Sequence, residues 1–292
     1  MTVTQKKAVL FAPFWRQEGH VGNYRVDRFV RWLADEGYTV ILVRAGTLDG
    51  EGQHSWGQEI TVRDPLGLHR DTSPESANFV PPRKPNKLRR ALSYWVFSPD
   101  PTIVWARVAA RRPLVLQAVQ GAAFILSSSP PESAHVGAWL ISRRTGVPHI
   151  VDMRDGWLDE PLRPLLRTSS LRRWRESRME ARILCHAKAV QVTSEVWKTL
   201  LCDRYPAFVP KVHVLTNGYP QQPMAPEPKP PKGPDDEPVL IHAGHFLGSR
   251  LTQSPDLLLE PLLHNLSGKS SSGVIQLIGL LSNDELAIIE PF

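Results

Sequence analysis

Three segments carry side chains that could act on a ligand. Asp152-Met153-Arg154-Asp155-Gly156-Trp157 closes an apolar run and puts two carboxylates beside a guanidinium. A carboxylate at a strand end can orient or deprotonate a hydroxyl, provided it is free to meet one. Asp155 is the better candidate, because Asp152 is close enough to the run to be tied to the strand end. The competing reading is a structural Asp–Arg pair with Trp157 packed beneath it. Gly19 and Gly22 follow the first apolar run, with Arg25 just beyond. They form either a ligand-contacting loop at the carboxyl end of a strand or a tight turn with a surface arginine. The run His242 to Arg250 joins Gly244 and Gly248 to a forked cation. Such a turn lets the backbone approach a phosphate, and Arg250 can bind it through two parallel bonds. The alternative is a plain turn with a surface arginine.

Other residues have weaker claims. Ser127-Ser128-Ser129-Pro130-Pro131 leads a helix and can be a ligand-contacting loop or a helix start with early proline. His135 reads better as a helix-surface histidine than as a cleft residue. Cys185 and Cys202 have no metal-type or redox-type spacing. No Asp-x-Asp occurs to hold a divalent ion, so no metal is expected.

These residues depend on the elements around them. Lys7–Phe14 reads as a buried strand, followed by a helix with Val26, Phe29, Val30 and Leu33 on one face and Gly37 at its end. Tyr38–Val43 is the next strand, which makes a βαβ start. Trp56–Val62 can be a strand, and Asp64–Asn86 a long surface loop. Strands follow at Ala123–Ser127, Val147–Met153, Ala189–Thr193 and Val212–Leu215. Helices lie between them at Ala134–Thr145, Ser170–Ala187 and from Ser194 to about Tyr205. This alternation predicts a doubly wound parallel sheet. From Pro220 to Pro238, eight of nineteen residues are proline, which predicts an extended linker. A second α/β start follows: strand Val239–His242, helix Ser254–Asn265, strand Val274–Ile278 and a short helix Ser282–Glu290. The predicted division is 1–219, linker 220–238, and a partial domain 239–292.

Charge narrows the partners. The net charge of +6 suits an anionic one: nucleotide phosphates, a membrane face or nucleic acid. Seven arginines between Arg163 and Arg182, with Trp174 among them, can dock on an anionic membrane. So can Arg83 to Arg90. The competing reading is a solvated helix with Glu176 and Glu180 in surface ion pairs. No nucleic-acid-binding module is recognised. The N-terminus has no apolar signal segment, which predicts a cytoplasmic location.

The ordered set SSSPPESAHVGAWLISRRTGVPHIVDMRDGW, LRRWRESRMEARILCHAKAVQVTSE, KVHVLTNGY and VLIHAGHFLGSR resembles the family 4 glycosyltransferases of the GT-B fold. That resemblance implies two Rossmann-like domains, the first for the acceptor and the second for a nucleotide diphosphate sugar. It implies metal-independent, retaining transfer to a glycan or lipid-linked acceptor, in surface polysaccharide synthesis on the inner membrane face. Gly22, Gly244 and Arg250 would meet the donor phosphates. Arg25, Ser129, Arg154 and Trp157 would meet the acceptor, and Asp155 would position its hydroxyl. No cofactor is implied. The sequence departs from the family twice. His20 and Val21 separate glycines that are usually adjacent. The later paired-glutamate segment has no counterpart before Phe292. A non-catalytic relative that binds an acceptor or partner is therefore the second reading. A dinucleotide oxidoreductase lacks its Gly-x-Gly-x-x-Gly, and a nucleotide-sugar epimerase of similar fold is a minor alternative.

Overall fold

The computed structural model describes residues 6–15, 22–68, 97–159, 169–218, 239–243, 255–266, 274–278 and 283–290. Among these, residues up to 217 form one compact unit and those from 218 onward another.

The first unit is built on one sheet. Its elements are β1 (Lys7–Phe11), α1 (Asn23–Asp35), β2 (Thr39–Gly46), β3 (Gly50–His54), β4 (Gly57–Arg63), α2 (Ile103–Ala109), α3 (Pro113–Val119) and β5 (Ala122–Ser129). Next come α4 (Ser133–Thr145), β6 (His149–Met153), α5 (Ser170–His186), β7 (Ala189–Val192), α6 (Glu195–Arg204), a 3-10 turn (Pro206–Lys211) and β8 (Val212–Val214). The strand order is β3-β4-β2-β1-β5-β6-β7-β8. All neighbours are parallel except β3, which pairs antiparallel with β4.

Apolar strands dictate this arrangement. KAVLF is buried on both faces, as a central parallel strand must be. Ala8 and Leu10 face Val26, Val30 and Leu33 of α1. Val9 and Phe11 face Trp105 of α2 and Ala134, Ala138 and Ile141 of α4. Each buried large side chain contributes about 1.5–3 kcal/mol. On that second face α5 and α6 extend the core through Ile183, Leu184 and Leu201 against Val151, Val190 and Val192. The sheet is thus doubly wound, as the alternation predicts.

Differences lie where local signals are weak. β3, GEGQH, has no apolar alternation and is an exposed edge strand. The helices α2 and α3 lie just before the strand at Ala123–Ser127, where the sequence reading assigns no element, although Pro113 at the first turn of α3 is a start signal. The predicted stop at Gly146 is met, with φ of 75° at the helix end. The loop over 69–86 and the linker over 220–238 lie outside the described residues.

The second unit has β9 (Val239–Ala243) parallel to β10 (Val274–Ile278), with α7 (Asp256–Leu266) and α8 (Asn283–Ile289). The strand ranges match the sequence reading within a residue.

One capping residue has no sequence signature. Asp100 accepts from the Thr102 N–H at 2.9 Å, beside the start of α2. It also accepts from the N–H and hydroxyl of Ser133, at 2.9 and 2.6 Å, at the start of α4. Neither helix has a side-chain cap from its own N-cap residue. One carboxylate therefore satisfies two helix starts, and its burial pushes its pKa up. Asp100→Ala should destabilise the protein by about 2 kcal/mol, about 1 for each helix start. An unchanged urea midpoint would contradict this double cap.

Candidate functional site

The chain winds in opposite directions from β1 and β5. From β1 it passes through α1 to β2; from β5 it passes through α4, α5 and α6 to β6, β7 and β8. Crevices for ligands form beyond the carboxyl ends of strands at such a switch. Gly22 and Arg25 at the start of α1, Ser127–Ser129 ending β5 and Asp152–Asp155 ending β6 all lie there.

A buried ion pair occupies its floor. Asp152 is 0% exposed and Arg25 9%. The Arg25 Nε and Nη2 donate to the Asp152 carboxylate at 3.0 and 2.7 Å. The Ser128 hydroxyl donates to the same carboxylate at 2.8 Å. Arg25 also donates to the Leu215 and Thr216 carbonyls and to Asn217 Oδ1. Arg25, expected to meet an acceptor, thus directs its guanidinium into the protein and ties α1 to β6 and to the segment after β8. The Asp–Arg pair in the DMRD segment takes a different form from the one read in sequence: Asp152 binds Arg25, and not Arg154.

Arg154 turns the other way. Its Nε and Nη2 donate to the Ser129 and Pro130 carbonyls at 2.7 and 2.8 Å. Its guanidinium lies against Gly22, where a Cβ would fall 1.7 Å from Nη1. Only glycine fits there without moving the arginine. The N-terminus of α1 has neither a side-chain cap nor an acid in its first turn, so nothing of its own neutralises the dipole. Among the described residues, Arg154 and the α1 N-terminus place positive charge beside Gly22.

Asp155 is exposed, and among the described residues its carboxylate makes no hydrogen bond. Neighbouring protein crowds it enough that desolvation pushes its pKa up, opposed by the Arg154 charge. A carboxylate that is accessible and uncommitted can accept a hydroxyl proton bond. Beside it, Gly156 lies under the Trp197 ring, where a Cβ would come within 2.3 Å of Cζ3. Asp155, Gly156, Asp159 and Trp197 line a small pocket floored by Met153 and Val192. Sequence reading missed Trp197, which is brought there from α6.

Two expected acceptor residues are placed beneath the surface. Trp157 is 1% exposed and packs in the core with Ile183 and Leu184, so its ring offers no face to a ligand. Ser129 is buried and contributes its carbonyl to Arg154. His135 is not on the helix surface. It is 1% exposed, because the first turns of α4 are packed all round. The Ser127 hydroxyl bridges His135 Nδ1 and His149 Nε2, each at 2.7 Å. With one hydroxyl proton, one ring donates to Ser127 and the other accepts from it. Burial and then the Arg154 charge lower the His135 pKa to about 3. Burial, with His135 and His186, holds His149 well below the ordinary histidine value.

Gly244 and Arg250 lie outside the described residues, beyond the end of β9. So do Gly19, Arg163, Arg167 and the basic run Arg83–Arg90. Among the described residues no group of three or more His, Cys, Asp or Glu is placed to hold a metal ion.

Residues 22–218, about two thirds of the chain, match the glycosyl transferase 4-like domain family. The chain belongs to this family. The match begins at Gly22 and spans the whole switch-point site. Among solved structures, the apo form of the lipopolysaccharide outer core galactosyltransferase WaaB is similar, at 11% identity and a TM-score of 0.52. The alignment covers 98% of this chain and 64% of that one. This likeness supports the GT-B-like fold class. HepE from Anabaena, in complex with UDP and glucose, aligns at 12% identity and a TM-score of 0.47, with the same coverage. The chain spans about two thirds of the length of each. No curated protein matches the sequence significantly.

Two tests follow from the buried groups of this glycosyl transferase 4-like site. Arg25→Met should cost about 3–5 kcal/mol by leaving Asp152 buried without its partner. Adding Asp152→Asn should recover part of that loss; additive losses in urea unfolding would deny the coupling. For His135 the folded pKa, about 3, lies below the ordinary histidine value of 6.5. Its contribution to stability is complete above 6.5 and is lost as pH falls toward 3. His135→Asn should therefore flatten the acid loss of stability between those limits, measured by denaturant midpoints.

Proposed function

We propose that this chain takes part in sugar transfer from a nucleotide diphosphate sugar to a glycan or lipid-linked acceptor, without a metal and with retention at the sugar carbon. The bond from the anomeric carbon to the diphosphate breaks, and one to the acceptor oxygen forms. The nucleoside diphosphate leaves with the electron pair, and its freed oxygen takes up the proton that the acceptor hydroxyl gives up. The observation that carries the reading is an accessible, uncommitted Asp155 at the switch point of a family-4-like sheet, beside the cation Arg154.

Asp155 accepts a hydrogen bond from the acceptor hydroxyl and positions it. Arg154, held by two carbonyls, supplies fixed positive charge to an electronegative group of the acceptor. Gly22 leaves room for that arginine beside the α1 N-terminus, where negative charge is favoured. Gly244 and Arg250 bind the departing diphosphate through backbone N–H groups and a forked cation. Residues 1–219 then form the acceptor-side domain, 220–238 a linker and 239–292 part of the donor domain. The setting is surface polysaccharide synthesis at the cytoplasmic side of a membrane, with the anionic lipid face as a second partner. A second reading, an acceptor-binding or interaction domain without activity, is favoured by a family match confined to residues 22–218.

Calorimetric titration with UDP and GDP in EDTA separates the two. The donor reading expects saturable binding of one nucleotide, weakened at least about tenfold in Arg250→Ala by loss of a charge-assisted contact. Absence of binding for both would remove the donor site from this chain and leave the acceptor-side reading.

A further inference from the structure

Helix α5 sorts its charges by face. Its carboxylates, Glu176 and Glu180, are both buried. Glu176 is bonded to Arg172 at 2.7 Å, and Glu180 to Arg204 and the Tyr205 hydroxyl at 3.1 and 2.9 Å. The surface ion pairs that could have neutralised the helix are therefore internal. The opposite face carries Leu171, Trp174, Arg175, Arg178 and Arg182 at helical spacing, with Arg173 exposed in the first turn. Leu171 is 56% exposed and Trp174 53%. Arg178 stacks over the Trp174 ring at 4.5 Å. Among the described residues no carboxylate pairs with Arg173, Arg175, Arg178 or Arg182.

We infer that this face of α5 is a docking surface for an anionic lipid bilayer. Three arginines on this face, Arg175, Arg178 and Arg182, have no counter-charge and attract acidic headgroups. An indole and a leucine at one end of the same face suit the headgroup boundary, where amphipathic rings settle. A nucleic acid would use the arginines but gives no reason for the exposed Leu171 beside Trp174. The inference rests on the membrane-side reading above and names the element that serves it.

The test uses the full 292-residue chain in co-sedimentation with phosphatidylcholine vesicles, with and without phosphatidylglycerol. Binding should require phosphatidylglycerol and fall with salt. Arg175→Gln/Arg178→Gln should weaken it about twentyfold or more, near fivefold for each arginine. Trp174→Ala should weaken it while leaving the salt dependence unchanged. All three positions are exposed, and circular dichroism checks that the variants fold. Equal binding to both vesicle types, no vesicle binding, or variants that bind like the parent would overturn the inference. So would a duplex oligonucleotide that binds as tightly as the acidic vesicles with no effect of Trp174→Ala. Vesicle binding by a chain that takes up neither UDP nor GDP would support the docking face and reject the donor reading alone.

Discussion

The Arg25–Asp152 pair constrains everything at the carboxyl end of the sheet. Burying two charges costs several kcal/mol for each, and that cost is offset only when both are saturated with good geometry. Here Asp152 receives two donors from Arg25 and one from Ser128, and Arg25 also reaches Leu215, Thr216 and Asn217. One interaction thereby fixes α1, β5, β6 and the segment after β8 relative to one another. It also assigns roles to its neighbours. With Asp152 consumed, Asp155 is the exposed carboxylate of the segment that stays uncommitted. With Arg25 turned inward, Arg154 is the cation held beside Gly22.

The same rule explains α5. Glu180 sits in the core at 0% exposure because Arg204 and Tyr205 answer it there. Burial and that carboxylate raise the Tyr205 pKa to about 12, so its hydroxyl stays a donor. Arg172 and Glu176 are likewise paired inward, with Arg172 donating to the Pro99 carbonyl. The inward carboxylates leave the outer face with arginines and no negative charge. Interior satisfaction and surface charge are two sides of one helix.

Local signals in the sequence were enough for most of the first unit's framework. KAVLF, the stop at Gly146 and the Ser194 cap each act within a few residues, and the Ser194 hydroxyl does accept from the Trp197 N–H. The doubly wound sheet follows from that alternation, and the quoted motifs led to the family. The site was less legible because its bonds join distant residues. Nothing near Arg25 distinguishes it from Arg154 as the partner of Asp152, 127 positions away. Asp100 meets Ser133 across 33 positions. His135 looks like a surface residue until α4 is seen packed on both sides, against β5 and α2. Trp157 follows the acidic segment directly, yet the chain turns it into the core.

Carboxylate labelling of the native chain, with an amine and carbodiimide and readout by mass spectrometry, tests the central assignment most directly. The account predicts that Asp155 is modified rapidly while Asp152, locked by Arg25 and Ser128, stays protected until the protein unfolds. Modification of Asp152 at a rate like that of Asp155 would contradict it, since the pair that organises the site would then be open to solvent.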